Sequence, residues 1–228
     1  VVLLLKRVAR LTQPVTIGDA DSTPTEAYSS ACYGGIVMGS VVFNGQSVRP
    51  GKVVCVGKNY AAHIEEMASA PAESMVVFMK PATSIGTELC SALDEPLHYE
   101  AEICLLLRGG QVAGVGFGLD LTKRETQSKL KAAGLPWERS KAFTGSALFS
   151  EFVAAPGDLS QLGVELIVDD VIRQKGDVSL MLYPPDMVLQ ELNQFLILED
   201  FDIVMTGTPA GVGAVRMGER FHGRVLNG

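Results

Sequence analysis

The stretch that decides the fold is Leu97-His98-Tyr99-Glu100-Ala101-Glu102-Ile103-Cys104-Leu105-Leu106-Leu107. Its second half is an apolar run, which predicts a buried strand. Its first half carries two carboxylates two residues apart, and residues i and i+2 of a strand point to the same face. Glu100 and Glu102 are therefore predicted to stand side by side, on a face that becomes apolar at Cys104.

Two like charges at this spacing repel each other, and burial increases the repulsion. The pair therefore suggests a positive group between them, and a divalent cation held by oxygen ligands is the simplest candidate. The alternative is a strand end with a solvated face. Asp120 lies at the end of the apolar, glycine-rich stretch 112–121, where it is either a strand-end cap or a third ligand.

Composition limits the class of protein. The 228 residues are 47% hydrophobic and carry a formal net charge of -7, so the chain is globular and has no basic patch for nucleic acid. Four scattered cysteines without a CxxC pair indicate the free thiols of a reducing compartment. No apolar run approaches the length of a membrane span, and the basic residues Lys6 and Arg7 follow the apolar residues 1–5, unlike in a signal peptide. We therefore expect a cytoplasmic protein without a membrane or nucleic-acid partner.

The chain divides near residue 38. Residues 1–37 show no lasting periodicity, so they are predicted to form an irregular N-terminal extension. The folded domain is expected over residues 38–228, beginning with a short strand and the Asn44-Gly45 turn signal.

Local signals predict several later elements. Asp169-Asp170 lies between two alternating segments, which predicts a β-hairpin. Asn59 is a candidate N-cap for a helix, and Thr122 with Glu125 has the form of a capping box. A further helix should begin at Pro184-Pro185-Asp186 and place one apolar face in the core, formed by Val188, Leu192 and Phe195.

The predicted helix after Asn59 carries His63 and Glu66. At a spacing of i and i+3 their side chains can meet, so Glu66 could orient the imidazole ring and raise its basicity, as a catalytic base requires. The alternative is a surface helix on which a partly solvated histidine has an acidic neighbour by chance.

Basic and polar side chains near Asp120 are candidates for holding an anion. Arg124 and Gln127 share the first turns of a helix there, although a solvated first turn explains them equally well. Lys141 is flanked by small and apolar residues, and a partly buried lysine needs a partner that three carboxylates would supply. The loop 206–213 could form an anion nest from backbone N–H groups, but it lacks the sequence of a P-loop.

Six segments, taken in order, resemble the fumarylacetoacetate hydrolase family. They are Gly57-Lys58-Asn59-Tyr60-Ala61-Ala62-His63, Phe78-Met79-Lys80-Pro81, Tyr99-Glu100-Ala101-Glu102, Leu119-Asp120-Leu121-Thr122 with Arg124 and Gln127, Pro136-Trp137 with Lys141-Ala142-Phe143, and Thr206-Gly207-Thr208-Pro209-Ala210-Gly211-Val212-Gly213. Any one of them would be weak, but six in the same order and spacing are specific. The resemblance runs from about Met38 to the end, and residues 1–37 have no counterpart in it.

The resemblance implies an α+β, mainly β fold, a mixed β-roll or β-sandwich with a few short helices, assembled as a homodimer. It implies Glu100, Glu102 and Asp120 as ligands of Mg²⁺ or Mn²⁺. It further implies His63 and Glu66 as a water-activating dyad, Lys141 as the cation facing the enolate, and substrate contacts from Arg124, Gln127, Thr208 and Lys80.

The activity expected from the resemblance is metal-dependent cleavage of a C–C bond in a small acylpyruvate-type 2,4-dioxo acid. The same site would serve oxaloacetate decarboxylation or a hydroxymuconate-type isomerisation, so these reactions stay open. A non-catalytic protein that binds a 2-oxo acid is the alternative of another class, and the intact dyad argues against it.

Overall fold

Strands dominate the part of the chain that the structure describes. The structure is a computed structural model and describes residues 39–68 and 73–227, so the predicted extension over residues 1–37 lies outside the described residues. The strands are β1 Val41–Phe43, β2 Gln46–Val48, β3 Lys52–Gly57, β4 Val76–Pro81, β5 Ile85–Gly86, β6 Leu97–Tyr99, β7 Ala101–Arg108, β8 Gln111–Asp120, β9 Thr122–Lys123, β10 Ala147–Phe149, β11 Val153–Ala154, β12 Leu162–Val168, β13 Val171–Asp177, β14 Ile203–Met205, β15 Gly213–Ala214 and β16 Phe221–Asn227. The α-helices are α1 Ala61–Glu66, α2 Arg124–Ala132, α3 Glu138–Lys141 and α4 Pro185–Leu192.

One large sheet supports the site. Its strand order is β4-β3-β14-β7-β8-β10-β5, and β11 also pairs with β8. The pairs β3–β14 and β5–β10 are parallel and the others are antiparallel, so the sheet is mixed. The strands β13-β12-β16 form a second sheet and β15-β6-β9 a third. The predicted α+β, mainly β fold is confirmed.

Strand β7 is buried on both faces, which explains its continuous apolar run. Ile103, Leu105 and Leu107 pack into the larger apolar core, whereas Cys104 and Leu106 pack into a second one. Glu100 and Glu102 lie four and two residues before Cys104, so all three side chains alternate to the same side of the chain. The predicted change from carboxylates to apolar side chains along one face is therefore confirmed. The predicted stretch is not one strand, however, because the chain leaves β6 at Tyr99 and enters β7 at Ala101.

The second sheet packs closely on the first. A Cβ atom at Gly223 of β16 would lie 2.2 Å from the ring of Phe117 on β8. Only a residue without a side chain allows this approach, and the fully buried Phe117 fills the space instead.

Both predicted hairpins are confirmed. Asn44 and Gly45 connect β1 to β2, and Asp169 and Asp170 connect β12 to β13. All four residues have positive φ angles, as the tight hairpin turn requires.

Two predicted helix caps are wrong, because tertiary contacts use the capping side chains. Asn59 instead bonds the backbone of Tyr183 and donates to the carbonyl of Thr206 at 2.7 Å. Thr122 lies in β9, and α2 begins at Arg124 without a cap from its own sequence neighbours. The carboxylate of Glu95 accepts the N–H groups of Glu125 and Thr126 instead.

The predicted apolar face of α4 is confirmed for Val188 and Leu192, which are fully buried. Phe195 is 60% exposed, because α4 ends at Leu192 and the chain turns away. None of the helices in the described ranges could cross a bilayer, since the longest, α2, has nine residues.

Candidate active site

Three buried carboxylates meet where β7 and β8 pair. Glu102 lies opposite Gly118, and the N–H of Asp120 donates to the carbonyl of Glu100 at 2.9 Å. This register brings one carboxylate oxygen of each of Glu100, Glu102 and Asp120 within 4.8 Å of the others. The sequence is compatible with two roles for Asp120, a strand-end cap or a third ligand. Its position beside Glu100 and Glu102 favours the role of a ligand.

Lysines compensate two of the three carboxylates. The ammonium group of Lys141 donates to Glu100 at 2.8 Å, to Asp120 at 2.7 Å and to the hydroxyl of Thr122 at 2.6 Å. Burial alone would lower the pKa of Lys141, but Asp120 and Glu100 raise it above its ordinary value. The predicted pairing of Lys141 with carboxylates is confirmed, and the lysine is buried more completely than predicted.

Glu102 is the carboxylate of this group without an ion-pair partner among the described residues. It accepts one hydrogen bond, from the N–H of Gly207 at 2.7 Å. Burial, followed by the charges of Asp120 and Glu100, raises the pKa of Glu102 well above its usual value. Burial would also raise the pKa of Glu100, yet Lys141 and Arg124 hold it well below its usual value.

The donor set fits a hard divalent ion. All three groups are oxygen donors, as Mg²⁺ and Mn²⁺ prefer, whereas zinc would favour histidine or cysteine ligands. A cation between them would also compensate Glu102, which has no basic partner in the part of the chain that the structure describes.

Lys80 lies behind the carboxylates and not on the surface of the cleft. It is fully buried, and its ammonium group lies 2.8 Å from Asp120 and bonds Ser146 and the carbonyl of Lys141. These partners use all of its donors. The position therefore favours support of Asp120 over the substrate contact that the resemblance implied.

The carboxylates form the floor of a cleft whose empty space, including its open mouth, is about 490 Å³. Arg124 and Gln127 line one wall of the cleft, with Arg124 bonded to Gln127 at 2.8 Å and paired with Glu100. Lys131 follows on the same helix, and its ammonium group lies 4.8 Å from the ring centre of Trp137.

Helix α1 closes another side of the cleft and brings the predicted dyad to it. The Nδ1 atom of His63 lies 3.3 Å from a carboxylate oxygen of Glu66. The same carboxylate accepts the N–H of Gly211 at 2.9 Å and 3.1 Å from its two oxygens. Glu66 therefore joins α1 to the glycine-rich loop while it orients His63.

The loop 206–213 binds carboxylates of this chain. Its N–H groups at Gly207 and Gly211 donate to Glu102 and Glu66, so the predicted anion nest accepts side chains of the protein itself. Thr208 lines the cleft, and its hydroxyl donates to the carbonyl of Ala101 at 2.9 Å.

Sequence reasoning missed Gln174 and Glu95. Gln174 lies on β13, is 1% exposed and bonds the backbone between Glu100 and Glu102. It stands in the polar run Arg173-Gln174-Lys175, so nothing in the local pattern marks it as buried. Glu95 caps α2 from 30 residues upstream, a distance that no local motif covers.

The comparisons with known proteins agree with this geometry. A family model described as fumarylacetoacetate (FAA) hydrolase C-terminal matches residues 52–226. An oxaloacetate tautomerase of Escherichia coli (strain K12) is 38% identical, in an alignment that covers 74% of this chain and 85% of that protein. A mitochondrial oxaloacetate tautomerase of Rattus norvegicus is also 38% identical, with 72% and 82% covered.

A solved structure extends the comparison to the fold. It is that of fumarylpyruvate hydrolase from Pseudomonas aeruginosa in complex with Mn²⁺ and pyruvate, with a TM-score of 0.76 and 32% identity. The match covers 82% of this chain and 91% of that one. The resemblance predicted from the six segments is confirmed.

Proposed function

This chain belongs to the fumarylacetoacetate hydrolase family, and from that premise we propose that it is a divalent-metal-dependent enzyme that enolises a small 2-oxo acid. The leading reaction is the interconversion of the keto and enol forms of oxaloacetate. The observation that carries the proposal is the group of three buried carboxylates at the floor of a cleft with basic walls. The two relatives described above are named for this reaction.

Each residue of the cleft has a role in the proposal. An Mg²⁺ or Mn²⁺ ion held by Glu100, Glu102 and Asp120 would supply Lewis-acid polarisation of the 2-oxo group. Arg124 and Gln127 would orient the substrate carboxylate beside it. Through its own positive charge, Lys141 would stabilise the negative charge that develops on the oxygen as the enolate forms, because its three N–H donors already bond Glu100, Asp120 and Thr122.

His63 would transfer the proton. Conversion of the keto form to the enol breaks a C–H bond at C3 and forms an O–H bond at C2. A neutral imidazole can accept the C3 proton, and Glu66 stabilises the ring in its protonated form. The protonated ring then gives a proton to the C2 oxygen, which completes the enol and returns His63 to its neutral form. Such a base contributes about 10² to 10⁴-fold to the rate.

The test follows the ultraviolet absorbance of enol-oxaloacetate, with free Mn²⁺ as the blank. We expect EDTA to abolish the protein-dependent rate, and Mn²⁺ or Mg²⁺ to restore it. Glu102→Gln should lose both the rate and the Mn²⁺ binding seen by calorimetry, because an amide cannot neutralise the ion. The exposed Glu138→Gln is the matched control. Full activity in metal-free protein would contradict the proposal.

Hydrolysis of an acylpyruvate is the second candidate. The His63–Glu66 dyad favours it, because hydrolysis needs a base that activates water, and the Pseudomonas relative is named a hydrolase. The assay is the loss of acetylpyruvate absorbance with Mn²⁺ present. His63→Gln should abolish this loss and keep the Mn²⁺ affinity. Pyruvate formation from oxaloacetate, followed in parallel, measures decarboxylation.

A further inference from the structure

A closed ring of hydrogen bonds holds Ala101, the residue between two of the carboxylates. The N–H of Ala101 donates to Oε1 of Gln174 at 2.9 Å. Nε2 of Gln174 donates to the hydroxyl of Thr208 at 2.8 Å, and that hydroxyl donates to the carbonyl of Ala101 at 2.9 Å. The ring therefore grips both polar groups of the residue that separates Glu100 from Glu102.

The chemistry of the donors fixes the direction of every bond in this ring. A backbone N–H can only donate, so the amide oxygen of Gln174 must face Ala101. Its amide nitrogen then donates to Thr208 and, at 2.7 Å, to the carbonyl of Pro209, which can only accept. Because Thr208 receives a proton from Gln174, its own proton goes to Ala101 and is not available to a substrate.

The ring joins three separate parts of the fold. Gln174 lies on β13 of the second sheet, Ala101 begins β7 of the large sheet, and Thr208 lies in the glycine-rich loop. All three residues are buried, at 1%, 0% and 4% exposure. The ring is thus shielded from water, where a missing partner would leave a polar group unsatisfied.

Resting on the proposed function, we infer that Gln174 and Thr208 are positioning residues for the metal ligands, with Thr208 acting on Ala101 and not as a hydrogen-bond donor to substrate. The ring fixes the backbone from which Glu100 and Glu102 project, and so sets the separation of their carboxylates. Groups that orient metal ligands in this way contribute about 10- to 100-fold to metal affinity.

The experiment measures Mn²⁺ affinity by calorimetry, together with the thermal midpoint of each protein. Gln174→Met and Thr208→Val remove the ring at different members and keep similar volumes. Each should weaken Mn²⁺ binding by about 10- to 100-fold. The double variant should lose no more than the worse single variant, because one missing member already opens the ring. Thr208→Ser keeps the hydroxyl and should restore nearly full affinity.

Ser150→Ala is the matched control for stability alone. Ser150 is also buried and accepts the N–H of Phe117 at 2.8 Å, but it is not among the residues that line the cleft. It should lower the thermal midpoint and keep the Mn²⁺ affinity. If Gln174→Met does not fold, Thr208→Val and Thr208→Ser carry the test.

Two results would overturn the inference. One is a variant, Gln174→Met or Thr208→Val, that binds Mn²⁺ as tightly as the wild-type protein but has a lower thermal midpoint. The ring would then stabilise the fold without positioning the metal ligands. The other is additive loss in the double variant, which makes the two residues independent. Absence of Mn²⁺ binding by the wild-type protein is a different outcome, because it refutes the proposed function and the inference together.

Discussion

Lys141 is the residue on which the electrostatics of the site depend most. It is 2% exposed and serves two buried carboxylates, so its loss leaves their negative charge without that cation. Lys141→Met should lower the free energy of unfolding of the metal-free protein by about 3 kcal/mol. Urea unfolding in EDTA and in Mn²⁺ measures this, and Mn²⁺ should recover part of the loss.

Lys175→Met is the comparison for the Lys141 variant. Lys175 also pairs with a buried carboxylate, Glu165, at 3.4 Å, but its own side chain is 62% exposed. A solvated pair of this kind contributes about 0 to 1 kcal/mol. An equally small loss in Lys141→Met would show that the buried carboxylates do not depend on Lys141.

Single residues of the site were predictable where a charge interrupts an apolar pattern. Glu100, Glu102, Asp120 and Lys141 all stand beside apolar runs, and each needs a partner when it is buried. Gln174 was not predictable, because a neutral amide in a polar hairpin has the same local pattern whether it is exposed or buried. Its partner Ala101 lies 73 positions away.

At the scale of secondary-structure elements, the carboxylate of Glu66 joins α1 to the glycine-rich loop. Glu66→Ala removes the acceptor of the Gly211 N–H, whereas Glu66→Gln keeps an oxygen there. Hydrogen exchange over residues 61–67 should therefore accelerate by about 5- to 10-fold in Glu66→Ala, the effect of one net hydrogen bond. It should stay near the wild-type rate in Glu66→Gln.

Activity should fall in both Glu66 variants, because neither retains a charge beside His63. Comparison of the two variants therefore separates the contact of Glu66 with Gly211 from the role of Glu66 beside His63 in catalysis. Equal exchange rates in the two variants would mean that the Gly211 contact does not hold the helix.

The sequence predicted the type of an element better than it predicted the contacts at the ends of that element. The hairpin at Asp169-Asp170 and the core face of α4 depend on residues near one another in sequence; the hairpin is confirmed, and the core face is confirmed for Val188 and Leu192 but wrong for Phe195. The caps at Asn59 and Thr122 are wrong because distant backbone and side chains compete for the same polar atoms. A motif of neighbouring residues carries no information about these distant partners.

For the molecule as a whole, we propose the homodimer that the family resemblance implies. Strand β13 lies at one edge of its sheet, and Val171 and Ile172 on it are 50% and 53% exposed. Such an edge is a candidate surface for association. Light scattering after gel filtration should give about twice the chain mass of 24.3 kDa, and Ile172→Asp should reduce it. A wild-type mass of one chain would exclude the dimer.

The paired strands β7 and β8 carry Glu102 and Asp120, and Glu100 directly precedes β7, so one strand register positions both the candidate ligands and the core side chains. The alternation that sends Ile103, Leu105 and Leu107 into the core also aims Glu100 and Glu102 at the cleft. Slippage by a single position would turn Glu100 and Glu102 toward the larger core and aim Ala101 and Ile103 at the cleft. Replacement of one acidic residue can therefore remove the proposed metal site from a protein that still folds. A change of strand register cannot, because it would displace the ligands and disrupt the core together.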